Sequence, residues 1–183
     1  MHTSHEPMCY TAYIMECYKK YEDITDIDKR HILLGQITGQ MLTLKALHEY
    51  VSKIEMHSHV PEIIIGQFNV ARNMALYTLF CYSLAPEVRM KSYSVIEMAL
   101  REYYNNDKKT AFKNLLRKAV DNGVLQDKGF RNASNDDNNP YCKSLIDVLP
   151  SLRNESAHGT SLLDHDCVRH LEICADLVNK LFQ

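Results

Sequence analysis

Apolar residues recur three and four positions apart along most of this chain, the period of an α-helix, while stretches alternating Val, Ile or Thr with polar residues are almost absent. The pattern predicts an all-α protein. Cys9 to Tyr21 reads as a short helix with Tyr10, Tyr13, Ile14, Cys17 and Tyr18 along one side. A second helix is expected from Asp26 or Asp28 to about Glu55, with Ile32, Leu33, Ile37, Met41, Leu44, Leu47 and Val51 at helical spacing, and Gly35 and Gly39 either weakening it or letting another helix approach.

Met56-His57-Ser58-His59-Val60-Pro61 is the clearest internal boundary, because Pro fits the first turn of a helix, where its missing N–H costs nothing. It divides residues 1–60, an N-terminal helical extension, from residues 61–183, a helical bundle domain. Within the second part the pattern predicts a central apolar helix from Pro61 to Ala85 and a fresh start at Pro86 running to about Tyr104, with Val88, Tyr93, Ile96, Ala99, Leu100 and Tyr103 available for burial. Asn105-Asn106-Asp107 is expected to cap the next helix, Lys108 to about Asn122, which turns Phe112, Leu115, Leu116, Ala119 and Val120 inward and ends at Gly123. Arg131 to Pro140 lacks apolar periodicity and reads as a solvated, mobile loop. Tyr141 to Ala157 contains Pro150, expected to kink or restart the helix, and a last amphipathic helix spans about Asp164 to Phe182.

With 183 residues, 45% hydrophobic and 24% charged, the chain is long enough to bury a core. A net charge of −2 supplies no global attraction to nucleic acid or anionic lipid, so a polyanion would have to be met by a local patch. The most apolar segment carries Gln67, Asn69, Arg72 and Asn73, which suits a buried helix better than a membrane span, and the first residues have neither the basic start nor the apolar stretch of an export signal. Six Cys without a Cys-x-x-Cys pair are expected to be reduced core thiols in a cytoplasmic protein.

The chemistry concentrates near the end of the Tyr141 helix, in Arg153-Asn154-Glu155-Ser156-Ala157-His158-Gly159. Arg153 is charged at every working pH, whereas His158 titrates near neutrality. Cleavage of a phosphodiester uses both kinds of group, one to offset charge growing on phosphoryl oxygens and one to move protons. On a continuous helix the five-residue offset turns the two side chains away from each other, a difficulty that a site composed from two copies relieves.

Arg153, Asn154 and His158 match, position by position, the Arg-Asn-x-x-x-His motif of the HEPN superfamily, which this chain resembles from about Tyr141 to Phe182 and more loosely from Pro61. The resemblance implies an up-and-down helical bundle, a homodimer whose two Arg and two His share one cleft, and metal-independent RNA cleavage through attack of the ribose 2′-hydroxyl, with no cofactor. It implies a defence or toxin-type effector held by a regulatory protein partner. Toxins of the family silenced by nucleotide transfer often carry Tyr two residues after the His; this chain has Thr160 there.

Other readings of the same residues stay open. Arg153 could form a helix-end ion pair with Glu155 or Asp147, and the module could be a noncatalytic binding or scaffold domain. Lys109, Lys113 and Arg117, four residues apart, form either a solvated helix face or a contact to RNA backbone. Glu97 and Arg101 stand in the favourable order for a helical ion pair and could also support the cleft. His57 and His59 lack further ligands in a metal-binding pattern, so no metal site is expected.

Overall fold

Helix α4, Ala85–Tyr103, is buried along most of its length: Val88, Ser92, Tyr93, Val95, Ile96, Ala99 and Leu100 are all inaccessible. A helix apolar on so many sides has to be enclosed by others. In the computed structural model, which describes residues 16–105, 109–131, 133, 138–157 and 166–183, it is flanked by α3 (Glu62–Tyr77), α5 (Phe112–Asp121), α6 (Pro140–Ala157) and α7 (Cys167–Leu181), with α7 its most extensive neighbour. The described residues contain seven α-helices and no strand, an all-α bundle. Pro86 occupies the first turn of α4, as its position predicts. None of the described helices is long and apolar enough to cross a membrane.

Helix α5 turns inward the residues its periodicity selects, Phe112, Leu115, Leu116, Ala119 and Val120; in α7 the expected stripe of Val168, Leu171, Cys174, Ala175, Val178, Leu181 and Phe182 is buried from Leu171 to Leu181, with Val168 and Phe182 only partly buried and Leu177 buried in addition. The apolar segment after Pro61 is shorter than expected. It stops at Tyr77, where the Thr78 hydroxyl donates to the Ala75 carbonyl at 2.7 Å, and a tight turn over Tyr82–Leu84 leads into α4. Tyr103, assigned to the core by its spacing, is exposed and packs edge-on against Tyr104 and Phe182.

The single helix expected before Glu55 is two, α1 (Lys29–Thr38) and α2 (Leu44–Val51). Gly39 adopts φ +73°, the left-handed conformation that ends a helix, and Thr43 starts the next by accepting the Ala46 N–H. Gly35 is the close-approach point, since a Cβ there would collide with the returning Met41. Only Leu47 and Val51 of the predicted stripe are buried; Leu33, Ile37, Met41 and Leu44 are exposed. Most of the predicted Cys9–Tyr21 helix lies outside the described residues; of the described part, 16–20 is not helical and Tyr21 opens a short 3-10 turn, Tyr21–Asp23.

A charged clasp holds the start of α1 to the bundle. Buried Asp28 accepts from the Arg30 guanidinium at 2.7 and 2.8 Å and from the Tyr82 N–H at 2.9 Å, while Arg30 also pairs with Glu16 at 2.6 Å and Ser83 at 2.9 Å. His31 reaches the Thr78 carbonyl at 3.0 Å and meets Tyr82 edge-on. On the other side, Arg72 of α3 donates to the Ser52 carbonyl just past α2 at 3.1 Å.

Helix α6 is started by a buried carboxylate. Asp127 accepts the N–H groups of Tyr141 at 2.9 Å and Cys142 at 2.8 Å, and Asn139, at φ +56°, locks the approach by bonding the Asp127 N–H and the Leu125 carbonyl. The ends of the segment read as mobile are therefore anchored, at Asn139 and at Arg131, which pairs with Glu172 and Asp176 of α7 at 3.3 and 3.2 Å. Cys142, Cys167 and Cys174 are core thiols, as expected, but Cys17 is exposed and Cys81 half-buried. Burial, aided by nearby Asp127, pushes the Cys142 thiol up to about 12.

Burial alone would raise the Asp28 carboxyl, but hydrogen bonds from Arg30 and the Tyr82 N–H outweigh it and bring its pKa down to about 2. The ordinary value is about 3.9, so the ionised clasp contributes fully above roughly pH 4 and fades as pH falls toward 2. Acid should therefore take about 2 kcal/mol from the wild type that it does not take from Asp28→Asn. Chemical denaturation at pH 6, 4 and 2.5 tests this; parallel stability curves for the two proteins would refute it.

Candidate functional site

The buried stripe of α6 runs through Cys142, Leu145, Ile146 and Leu149, and Arg153 continues it one turn beyond Leu149. The helix passes through Pro150 without restarting, so the anchor at Asp127 and the turn carrying Arg153 belong to one rod. That stripe faces α4 and α5, which places the Arg153 guanidinium against α4 at the edge of the core.

Glu97 waits there. Its Oε2 lies 2.6 Å from Arg153 Nη2 and its Oε1 lies 2.6 Å from Arg101 Nη2, one carboxylate bridging two guanidiniums. Arg101 also donates to the Thr110 carbonyl at 3.2 Å, tying the approach to α5 into the group. Burial on its own would raise the Glu97 carboxyl; the hydrogen bonds from Arg101 and Arg153 prevail and hold it below the usual carboxylate range. Glu97 is thus an anion at neutral pH, and two cations face one negative charge.

The side chain of Arg153 remains 35% exposed while that of Glu97 is 14% exposed, so the guanidinium is gripped from inside and open outside. Its Nη1 donates to Asn154 Oδ1 at 3.1 Å, and Asn154 is itself exposed. A planar cation held on one edge, with an amide beside it, suits a tetrahedral oxyanion.

The sequence candidates divide into those brought together and those left apart. Arg153, Asn154, Glu97 and Arg101 form one network. The helix-end pairing expected of Arg153 is corrected: its partner is neither Glu155 nor Asp147 but Glu97, and Asp147 binds Lys113 at 2.5 Å. Lys113 and Arg117 are exposed on α5, with Arg117 donating to Asn114 at 3.2 Å. Lys109 precedes that helix, so the three cations do not share a single helical face. His158 lies outside the described residues, with Gly159 and Thr160. His57 and His59 are exposed before α3, and no group of three metal-ligating side chains occurs among the described residues.

One pair was not foreseen. Tyr93, one turn before Glu97 on α4, places its hydroxyl 3.1 Å from Nδ1 of His170 in the first turn of α7. Tyr93 follows the apolar stripe of α4 and is core, as its spacing predicts; nothing in the local pattern marks its hydroxyl as half of an interhelical hydrogen bond.

No family model matches this chain, and no curated protein or solved structure matches it either. The chemistry of the site rests on its own geometry.

The bridging carboxylate predicts energetic coupling between residues 56 positions apart. In a double-mutant cycle of Glu97→Ala and Arg153→Ala, the coupling read from denaturant unfolding should be about 1 kcal/mol, moderated by the solvent reaching Arg153. Additive single-mutant effects would show that the contact does not stabilise the bundle.

Proposed function

We propose that this protein is a HEPN-like, metal-independent endoribonuclease, an effector of the defence or toxin type, working as a cytoplasmic homodimer. The observation that supports this best is the Arg153 guanidinium, fixed from behind by Glu97 and open in front, in the last two turns of the helix that His158 follows in sequence. Arg153 clamps phosphoryl oxygens as charge builds on them; His158 moves protons; Asn154 orients the phosphate or the imidazole. Glu97 and Arg101 touch no substrate and act as positioning residues.

Self-association brings two copies of Arg153 and His158 to one scissile linkage, which removes the difficulty of their five-residue offset. Lys109, Lys113 and Arg117 contact the RNA backbone and supply the local attraction that a chain of net charge −2 lacks overall. A regulatory protein partner restrains the activity.

One observation favours a second reading, a noncatalytic binding or scaffold module. Glu97 and Asn154 between them already engage both terminal nitrogens of Arg153, as in a structural network. The two readings part on turnover. Purified protein incubated with mixed RNA in chelator should yield fragments ending in a cyclic phosphate, and Arg153→Ala or His158→Ala should each slow this by about 100-fold or more. Equal rates in all three proteins would remove the assigned roles, and RNA left intact by the wild type would select the binding module.

A further inference from the structure

Helix α1 presents its apolar side chains away from the bundle. Leu33, Leu34 and Ile37 are 43%, 40% and 73% exposed, while the opposite side of the helix carries His31, on the Thr78 carbonyl, and Gly35, the one residue of α1 that is buried. Met41, returning past the turn at Gly39, covers Gly35. Helix α1 takes part in none of the extensive helix pairings of the bundle, and the clasp of Asp28 and Arg30 on Tyr82 and Ser83 holds it by its start. More than half of the large apolar side chains exposed among the described residues fall between Tyr18 and Leu44.

A helix of 10 residues with a glycine inside it does not sustain itself in water; helices this short persist by burying an apolar face. Charge constrains what can cover that face. From Ile32 to Leu44 the sequence has no Asp, Glu, Lys or Arg, so the surface offers no counter-charge to a polyanion, an anionic lipid or a charged peptide. An uncharged face meets a copy of itself without repulsion. Two α1 helices laid antiparallel about a two-fold axis at the level of Gly35 set Leu33 of each copy against Ile37 of the other. The helix ends then complement each other. Lys29, exposed in the first turn, sits at the positive end of its own helix dipole, where a cation is unfavourable, and the last turn of α1 has no cation. Antiparallel pairing carries Lys29 of each copy to the last-turn carbonyls of the other, where its charge is favourable.

We propose that the outward face of α1 is a self-association surface, on which a second copy of this chain docks its own α1 antiparallel. This contact does not depend on the ribonuclease reading. The clasp sets the start of α1 on Tyr82 and Ser83, just ahead of α4, and that helix rises about 18 Å from Ala85 before it reaches Glu97, the partner of Arg153. Pairing through α1 is therefore separate from any pairing of Arg153 copies and adds to it. Three apolar side chains per copy cover less than the roughly 800 Å² per partner of a standard interface, so the contact is weak and forms at micromolar concentrations and above.

The test is sedimentation of the full chain from roughly 1 to 500 µM, with two double variants, Leu33→Glu with Ile37→Glu and Leu33→Lys with Ile37→Lys. The wild type should double in mass through α1, and each variant alone should associate through it about 30-fold more weakly, because like charges face each other across the axis. An equimolar mixture of the two variants should recover the wild-type mass, since every Glu then meets a Lys, and this recovery requires that both variants fold. Any pairing through the Arg153 face survives in the variants, which lose one doubling step only. Wild type and variants of equal mass at every concentration would overturn the proposal, and so would a mixture no heavier than its components. Binding of the wild type, but of neither variant, to phosphatidylcholine vesicles without a change of mass in solution would overturn it in favour of a lipid surface.

Discussion

Charge is distributed in this bundle so that a single half-buried carboxylate governs two cations and three segments. Glu97 leans from α4 toward α6, where it holds Arg153, and along its own helix to Arg101, which in turn holds the Thr110 carbonyl ahead of α5. Taking a carboxylate partly out of water is unfavourable, and here two charge-assisted hydrogen bonds of 2.6 Å offset that cost. Of the two guanidiniums that Glu97 holds, Arg153 is the more exposed and carries its charge to the surface.

The same contact fixes α6 at its far end. At the near end Asp127 takes the first two helical N–H groups, and about 18 Å of helix, the rise from Tyr141 to Arg153, connects this anchor to the Arg153 turn. A rod held at both ends by carboxylates from other segments has little freedom to slide or rotate. Sliding it by one residue would turn Arg153 away from Glu97 by about 100° and expose the Leu145 and Leu149 stripe in the same movement. Packing and charge therefore demand one register, and the position of Arg153 follows from the burial of the residues before it.

Legibility in the sequence follows the range of the forces. Where an apolar stripe is continuous and its far side charged, as in Phe112 to Val120, the pattern alone selects the residues that are buried, and along Leu171 to Leu181 it misses only Leu177, buried beside the stripe. The break at Gly39 escapes this reading because Met41 and Leu44 keep helical spacing across it; the left-handed backbone at Gly39 and the Thr43 cap decide the matter. Arg153 stands out as a candidate by its chemistry, but its partner does not. Glu97 has a local partner in Arg101, four residues on, which satisfies the helix-pair rule and conceals the second guanidinium from across the fold. Asp127 is concealed differently, as one polar residue among many before a long polar segment, and only the direction of the Tyr141 and Cys142 N–H groups singles it out.

A net charge of −2 and a polyanion-binding surface are compatible only if cations gather locally. Arg101, Arg153, Lys113 and Arg117 lie on α4, α6 and α5, which pack on one another, and among the described residues Glu97 pairs with Arg101 and Arg153 while Asp147 pairs with Lys113. These two anions differ in kind. Glu97 is largely shielded and held by two guanidiniums, so on the proposed ribonuclease reading a phosphate would meet Arg153 already oriented. Asp147 is 72% exposed with a single lysine partner, a weak surface pair that a phosphate can replace on Lys113 with little loss. The surface thus separates a cation held rigidly from one held exchangeably, the two kinds the proposed reading needs at a reacting centre and along a bound chain.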